Sequence, residues 1–187
     1  MKAAILLGGR GRRMGGVYKG SIRAADGLTL VERLSGLLTR CVGQTCGITR
    51  QGETSPCEST LFDALPDAGP LSGLRTALAW GGDDWVFVSA VDLPNLDAAF
   101  VDSLRIALED DLDVVLAEVQ GRPHPLAAFW HPRALPVVDA ALSAGRYRVT
   151  SVLSELRTRR LTEGFDPHAL LNVNSLDDLA EAGLRLP

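Results

Sequence analysis

The chain has 187 residues, nearly half of them apolar, with a formal net charge of −4. That is enough for one sizeable core, predicts a single globular domain over residues 1–187, and excludes a broad nucleic-acid surface. No apolar run approaches the roughly 20 residues needed to span a bilayer. The segment Lys2-Ala-Ala-Ile-Leu-Leu is too short for a signal peptide, and Cys41, Cys46 and Cys57 have no metal-ligand spacing, so they read as unpaired thiols of a cytoplasmic protein.

In chain order, Ala3–Leu7 is a buried strand that runs straight into a loop rich in glycine and arginine. Thr29 starts a helix through Leu30, Leu34, Leu37 and Leu38, with Glu32 placed to complete a capping box. Gln44–Thr49 is a weaker strand. Pro70 opens a helix through Leu71, Leu74, Leu78 and Trp80 that Gly81-Gly82 stops.

Trp85–Val91 is the strongest strand, apolar throughout as a strand buried on both faces must be. A helix through Phe100, Leu104 and Leu108 follows. Asp113–Val119 and Leu126–Trp130 form a strand pair about Gly121, with Arg122-Pro123-His124-Pro125 a stiff basic turn between them. Ala134–Ala144 is helical, Val149–Leu156 is a short helix, and Ser175 starts a last helix with Asp178 in the capping position. This alternation predicts a three-layer α/β/α sandwich, Rossmann-like, with a mostly parallel but mixed sheet.

The chemistry concentrates at the predicted carboxyl ends of strands, where open α/β sheets bind ligands. Between Gly8 and Gly20 lie six glycines and three arginines, which suits a polyphosphate. Glycine backbone approaches an anion closely, and arginine forks match phosphate oxygens. Known phosphate loops do not fit. Val17 stands where a P-loop needs lysine, and Met14 where a dinucleotide fingerprint needs its third glycine. Lys19 is one of only two lysines in the chain.

Asp92 follows the central strand and precedes Leu93-Pro94, a place suited to a carboxylate on Mg²⁺ or to a turn aspartate. Asp63 precedes Gly69-Pro70-Leu71-Ser72-Gly73, where it can meet a base or ribose or stay solvated. Asn172-Val173-Asn174 puts two amides on one side of an extended segment, for a pocket, a metal or the turn after it. Arg122 and His124 can meet a second anionic substrate or remain ordinary loop residues.

Taken in order, these motifs resemble the molybdenum cofactor guanylyltransferases, the MobA-type branch of the nucleotidyltransferases. The resemblance rests on Leu6-Leu7-Gly8-Gly9, Arg13-Met14-Gly15-Gly16-Val17-Tyr18-Lys19, Asp63 with Gly69 to Gly73, Asp92-Leu93-Pro94, Arg122 to Leu126, and Asn172-Val173-Asn174-Ser175-Leu176-Asp177-Asp178-Leu179. It covers about residues 1–183. It implies transfer of GMP from GTP to the phosphate of molybdopterin, with Mg²⁺ as cofactor and release of pyrophosphate. It also implies encounters with other cofactor-biosynthesis proteins or apo-molybdoenzymes, and no membrane or nucleic-acid partner.

By this resemblance Leu6, Leu7, Gly8 and Gly9 hold the base and nucleotide, and Lys19 and Arg13 lie on the phosphates. Asp63 sits near the guanosine, Asp92 carries the metal, and Asn174 is a weaker second ligand. Two departures stand out: Tyr18 replaces the aspartate usual before the lysine, and Leu7 replaces a small alanine. The strand at Cys46-Gly47-Ile48-Thr49 also lacks the asparagine found near the nucleotide in the family. A cytidylyl or sugar-phosphate nucleotidyltransferase is the neighbouring alternative, and a non-catalytic cofactor-delivery protein the distant one.

Overall fold

The computed structural model describes residues 1–8, 10–11, 17–65, 68–173, 176–181 and 184–186. The opening apolar run forms β1 (Lys2–Leu6), its last four residues buried. The ends of the glycine-arginine loop meet in a two-residue antiparallel ribbon, β2 (Arg10–Gly11) against β3 (Val17–Tyr18), followed by a 3-10 turn at Lys19–Ser21. Helix α1 (Leu30–Cys41) begins at the expected capping box. The Thr29 hydroxyl accepts the Glu32 N–H at 3.2 Å, and a Glu32 carboxylate oxygen accepts the Thr29 N–H at 2.7 Å.

Strands β4 (Thr45–Thr49) and β5 (Ser59–Phe62) follow, then α2 (Pro70–Gly81), β6 (Val86–Ala90) and α3 (Ala98–Ile106). The remainder is β7 (Val114–Val119), β8 (Arg122–Trp130), α4 (Leu135–Ser143), a 3-10 helix at Val149–Glu155, β9 (Thr158–Leu161) and α5 (Leu176–Glu181). Seven strands make one sheet in the order β5-β4-β1-β6-β8-β7-β9. Only β8 runs against its neighbours, so the sheet is mixed and mostly parallel.

Period-two alternation sends successive strand residues to opposite faces. Val86 and Val88 of β6 join Leu71, Leu74 and Leu78 of α2 and Val138 of α4 on one side. Phe87 joins Leu34 and Leu38 of α1, Phe100 and Leu104 of α3 and Leu179 of α5 on the other. The three-layer sandwich is thus built from two cores divided by the sheet.

Three details differ from the sequence reading. Arg122–Pro125 is not a turn but the first part of β8, which reaches Arg122 through a bulge: the β7–β8 register shifts between Leu116 and Glu118. Prolines are accommodated there because a bulge frees residues from the ladder. The short helix expected at Val149–Leu156 is a 3-10 helix over Val149–Glu155, and α3 ends at Ile106, before Leu108. Ser175 lies outside the described residues. Among those residues, no helix is long and apolar enough to cross a membrane.

Candidate active site at the strand switch point

The chain leaves β1 for β4 and β5 on one side and returns to β6 on the other. Such a reversal opens a crevice beyond the carboxyl ends of the two diverging strands. Leu6 and Ala90 pair in register there, so Gly8 and Asp92 emerge side by side from adjacent strands. Gly8 is exposed, and a Cβ on it would meet no atom within 4 Å. The backbone at Gly8 therefore has open space beside it.

Leu6 and Leu7 enter this site only through their main chain. Their side chains are buried in the cores on opposite faces of the sheet, and the Leu7 N–H already donates to the Ile48 carbonyl at 2.8 Å. Lys19 begins the 3-10 turn that follows the ribbon. Gly9, Arg13 and Asn174 lie outside the described residues.

Asp92 is half-buried in a turn anchored by Val91 and Leu93, both in the core. Its carbonyl accepts the Val173 N–H at 3.0 Å. That bond brings the distant Asn172-Val173 segment to the end of β6, with Val173 buried and Asn172 exposed. On the β8 side of Asp92 lies a cavity of about 560 Å³, and Asp92, His124, Asn172, Pro70, Tyr147 and Arg148 are among its walls.

The β8 bulge delivers His124 to this cavity, and the buried Trp130 holds the bulge by donating its indole N–H to the Pro125 carbonyl at 2.9 Å. Burial pushes the His124 pKa below its ordinary value, so the imidazole is neutral at neutral pH. Arg148 is an exposed residue of the cavity wall, with no side-chain hydrogen bond or ion pair to another described residue.

Two predicted site residues stand elsewhere. Arg122 is exposed at the β7–β8 hairpin, opposite Val119. Asp63 follows β5 and binds within its own neighbourhood: its Oδ1 accepts the Leu65 N–H at 3.0 Å and the Ser72 hydroxyl. Asp63 thereby fastens the first turn of α2, whose N-cap Gly69 has φ +66° and whose first residue is Pro70. Neither Arg122 nor Asp63 lines the cavity.

Tyr147 and Arg148 were missed in the sequence. The available signal was Gly145 after an apolar helix, followed at once by Arg-Tyr-Arg. The cysteines play no part: all three are free thiols, and burial, reinforced by neighbouring Cys57, pushes Cys46 up to about 12.

A seven-stranded mixed α/β sheet with Gly8 and Asp92 side by side at its switch point is an arrangement that nucleotidyltransferases use. Residues 3–160 match the family model described as the MobA-like NTP transferase domain, and the chain belongs to that family. It is 35% identical, over 96% of its length and 91% of the relative's, to a probable molybdenum cofactor guanylyltransferase of Mycobacterium marinum. It is 30% identical, over 95% and 92%, to the molybdenum cofactor guanylyltransferase of Desulfosudis oleivorans. Its fold is similar to the crystal structure of molybdopterin-guanine dinucleotide biosynthesis protein A from Archaeoglobus fulgidus, with a TM-score of 0.81, 24% identity and coverage of 98% and 97% of the two chains.

Proposed function

We propose that this protein transfers GMP from GTP to the phosphate of molybdopterin, forming the guanine dinucleotide form of the molybdenum cofactor and releasing pyrophosphate. Relatives carrying that activity in their names align over more than nine-tenths of both chains. The observation that carries the reading is the position of Asp92, between the loop that leaves β1 and the cavity over β8. A donor on the loop and an acceptor in the cavity would meet at that carboxylate. Residues 1–187 form one such domain in this reading, acting in the cytoplasm.

The acceptor phosphate is already anionic, so the reaction asks little of a general base. One of its oxygens forms a bond to the α-phosphorus of GTP, and the bond from that phosphorus to the β-phosphate bridging oxygen breaks. Catalysis is then mostly positioning and charge neutralisation. Arg148 and the neutral His124 orient the acceptor phosphate, while Asn172 closes the same wall. Lys19 and Arg13 neutralise the departing pyrophosphate, and the main chain of Leu6, Leu7, Gly8 and Gly9 cradles the nucleotide. Asp63 acts indirectly, by fixing the start of α2, whose Gly69 and Pro70 line the cavity; Asn174 is the weaker second metal ligand, and Arg122, at the β7–β8 hairpin, has no contact with the acceptor in this reading.

No group of three or more His, Cys, Asp or Glu that could hold a metal occurs among the described residues. Among the described residues the cavity wall carries a single carboxylate, Asp92, which fits Mg²⁺: this ion is usually held by one or two carboxylates together with substrate phosphates and water. Asp92 would hold it, and the bound ion supplies charge neutralisation across the triphosphate.

The test is pyrophosphate release across the four nucleoside triphosphates, with and without molybdopterin and Mg²⁺. Release is expected only with GTP and molybdopterin together. Lys19→Ala and Asp92→Ala should each lower kcat/KM by about 10²–10³-fold, the scale for removing one electrostatic contact to a transition state. Release with CTP would make the protein a cytidylyltransferase, and binding without release would make it a carrier.

A further inference from the structure

The loop that carries Tyr147 is built to stand still. Gly145, at φ +71°, ends α4: its N–H donates to the Leu142 carbonyl at 3.0 Å, and the Arg146 N–H donates to Ala141 at 2.9 Å. This is the paired-bond helix stop that a glycine permits. The Arg146 guanidinium then turns back, donating to the Ser151 carbonyl at 3.0 Å and the Glu155 carboxylate at 2.6 Å. Ser151 gives both its N–H, at 3.0 Å, and its hydroxyl, at 2.7 Å, to the Arg148 carbonyl. Gly69 packs close to the same loop, since a Cβ there would lie 3.4 Å from the Tyr147 carbonyl oxygen.

Within this fixed backbone Tyr147 is 48% exposed and is one of the residues that line the cavity. Its ring makes no aromatic contact among the described residues. Around it the wall is largely apolar, from Pro70, Pro125 and Val149, with Arg148 the adjoining charge. A pre-ordered aromatic face loses little freedom when a flat ring settles on it. A cation one residue away suits a ligand with a planar heterocycle at one end and a phosphate at the other.

We infer that Tyr147 is the stacking residue for the pterin ring of the acceptor and thereby a determinant of acceptor specificity. This rests on molybdopterin as the second substrate. Arg146 is the positioning residue that holds the loop, and the proposed function puts the donor nucleotide on the loop after β1.

Steady-state kinetics at saturating GTP and Mg²⁺, with molybdopterin varied, test the assignment. Tyr147→Ala should raise KM for molybdopterin about tenfold, the scale of a lost ring-on-ring stack, and leave KM for GTP unchanged. Tyr147→Phe and Tyr147→Trp should stay within about twofold of the parent, because the ring and not the hydroxyl is used. A second measurement needs no turnover: neopterin, a pterin without phosphate, is titrated into the protein and its fluorescence followed. Quenching is expected in the parent and in Tyr147→Trp and is lost in Tyr147→Ala.

An unchanged KM for molybdopterin in Tyr147→Ala overturns the inference, as does a shift in the KM for GTP instead. Failure of phenylalanine to substitute also overturns it. If the parent releases no pyrophosphate with molybdopterin, the functional reading falls and the neopterin titration alone decides on Tyr147. In that case quenching that depends on the ring upholds pterin stacking, and no quenching in the parent rejects it.

Discussion

Gly47 and Leu7 show how one residue's size is set by another's. Leu7 is 1% exposed, and a Cβ on Gly47 would come within 2.9 Å of its Cδ1 and 2.5 Å of the Ser55 Oγ. The leucine that replaces a small residue of the family pattern therefore fills the core beside a bare backbone rather than standing against the nucleotide base. Gly47→Ala should destabilise the fold by about 1–3 kcal/mol, the cost of forcing a methyl into a packed site, measured by urea denaturation. Adding Ser55→Gly removes the nearest obstacle, so the double variant should recover part of the loss and the two changes should be non-additive. A neutral Gly47→Ala would mean that the loop at Ser55 yields freely. At this scale sequence pattern places Asp92 well, because an acid after an apolar strand falls at a carboxyl end. It places Leu7 badly, because a residue type does not say whether the side chain or the main chain faces the ligand. Arg148 is not legible in the sequence, because the cavity it lines is completed by residues after β6, in β8 and at Asn172, all remote along the chain.

The elements read most easily from sequence are those with local causes. The capping box at Thr29 and the proline that opens α2 each act within one turn, and both helices start where they should. Edge strands β5 and β9 are not legible: Ser-Thr-Leu-Phe is too short and too exposed to show an alternation, and Thr-Arg-Arg-Leu carries little hydrophobic signal because exposed edges are kept charged. The bulge in β8 was hidden for a different reason. Its prolines mark a turn locally, and only pairing with β7, together with the indole of Trp130, makes that stretch a strand. Trp130→Phe keeps the ring in the core and removes the N–H that holds the Pro125 carbonyl. It should cost about 2–4 kcal/mol in stability, the lost hydrogen bond together with the cavity left by the smaller ring. It should also raise KM for the acceptor more than KM for GTP, because the bulge shapes the cavity wall at His124. Equal effects on both constants would show that the bulge does not set the cavity's shape.

Across the whole molecule, stability and chemistry sit at opposite ends of the sheet. Asp113 precedes β7 at the end away from Asp92 and ties the three outer strands together. It accepts the Arg157 N–H at 3.0 Å ahead of β9, its carbonyl takes the His131 N–H at 2.8 Å after β8, and Arg133 and Arg157 approach its carboxylate at 3.4 Å. The side chain is only 12% exposed, and that burial by itself raises its pKa. The Arg157 N–H and guanidinium, with Arg133, outweigh burial and leave the folded pKa below the ordinary carboxylate value. A carboxyl depressed on folding contributes stability that is fully present above its unfolded pKa, and this contribution is lost as pH falls through the folded value. Asp113→Asn should therefore lower stability at neutral pH by about 1–3 kcal/mol, as for lost hydrogen bonds to a charged group. The gap between parent and variant should narrow below about pH 4, where the unfolded carboxyl begins to hold its proton. Urea denaturation at several pH values reads the gap directly. Because the cluster lies a full strand length from the cavity, KM for GTP and for molybdopterin should be unchanged in the variant under conditions where it is folded. A gap that stayed constant down to acid pH would assign the ion cluster no part in acid sensitivity, and a change in either KM would couple the two ends of the sheet.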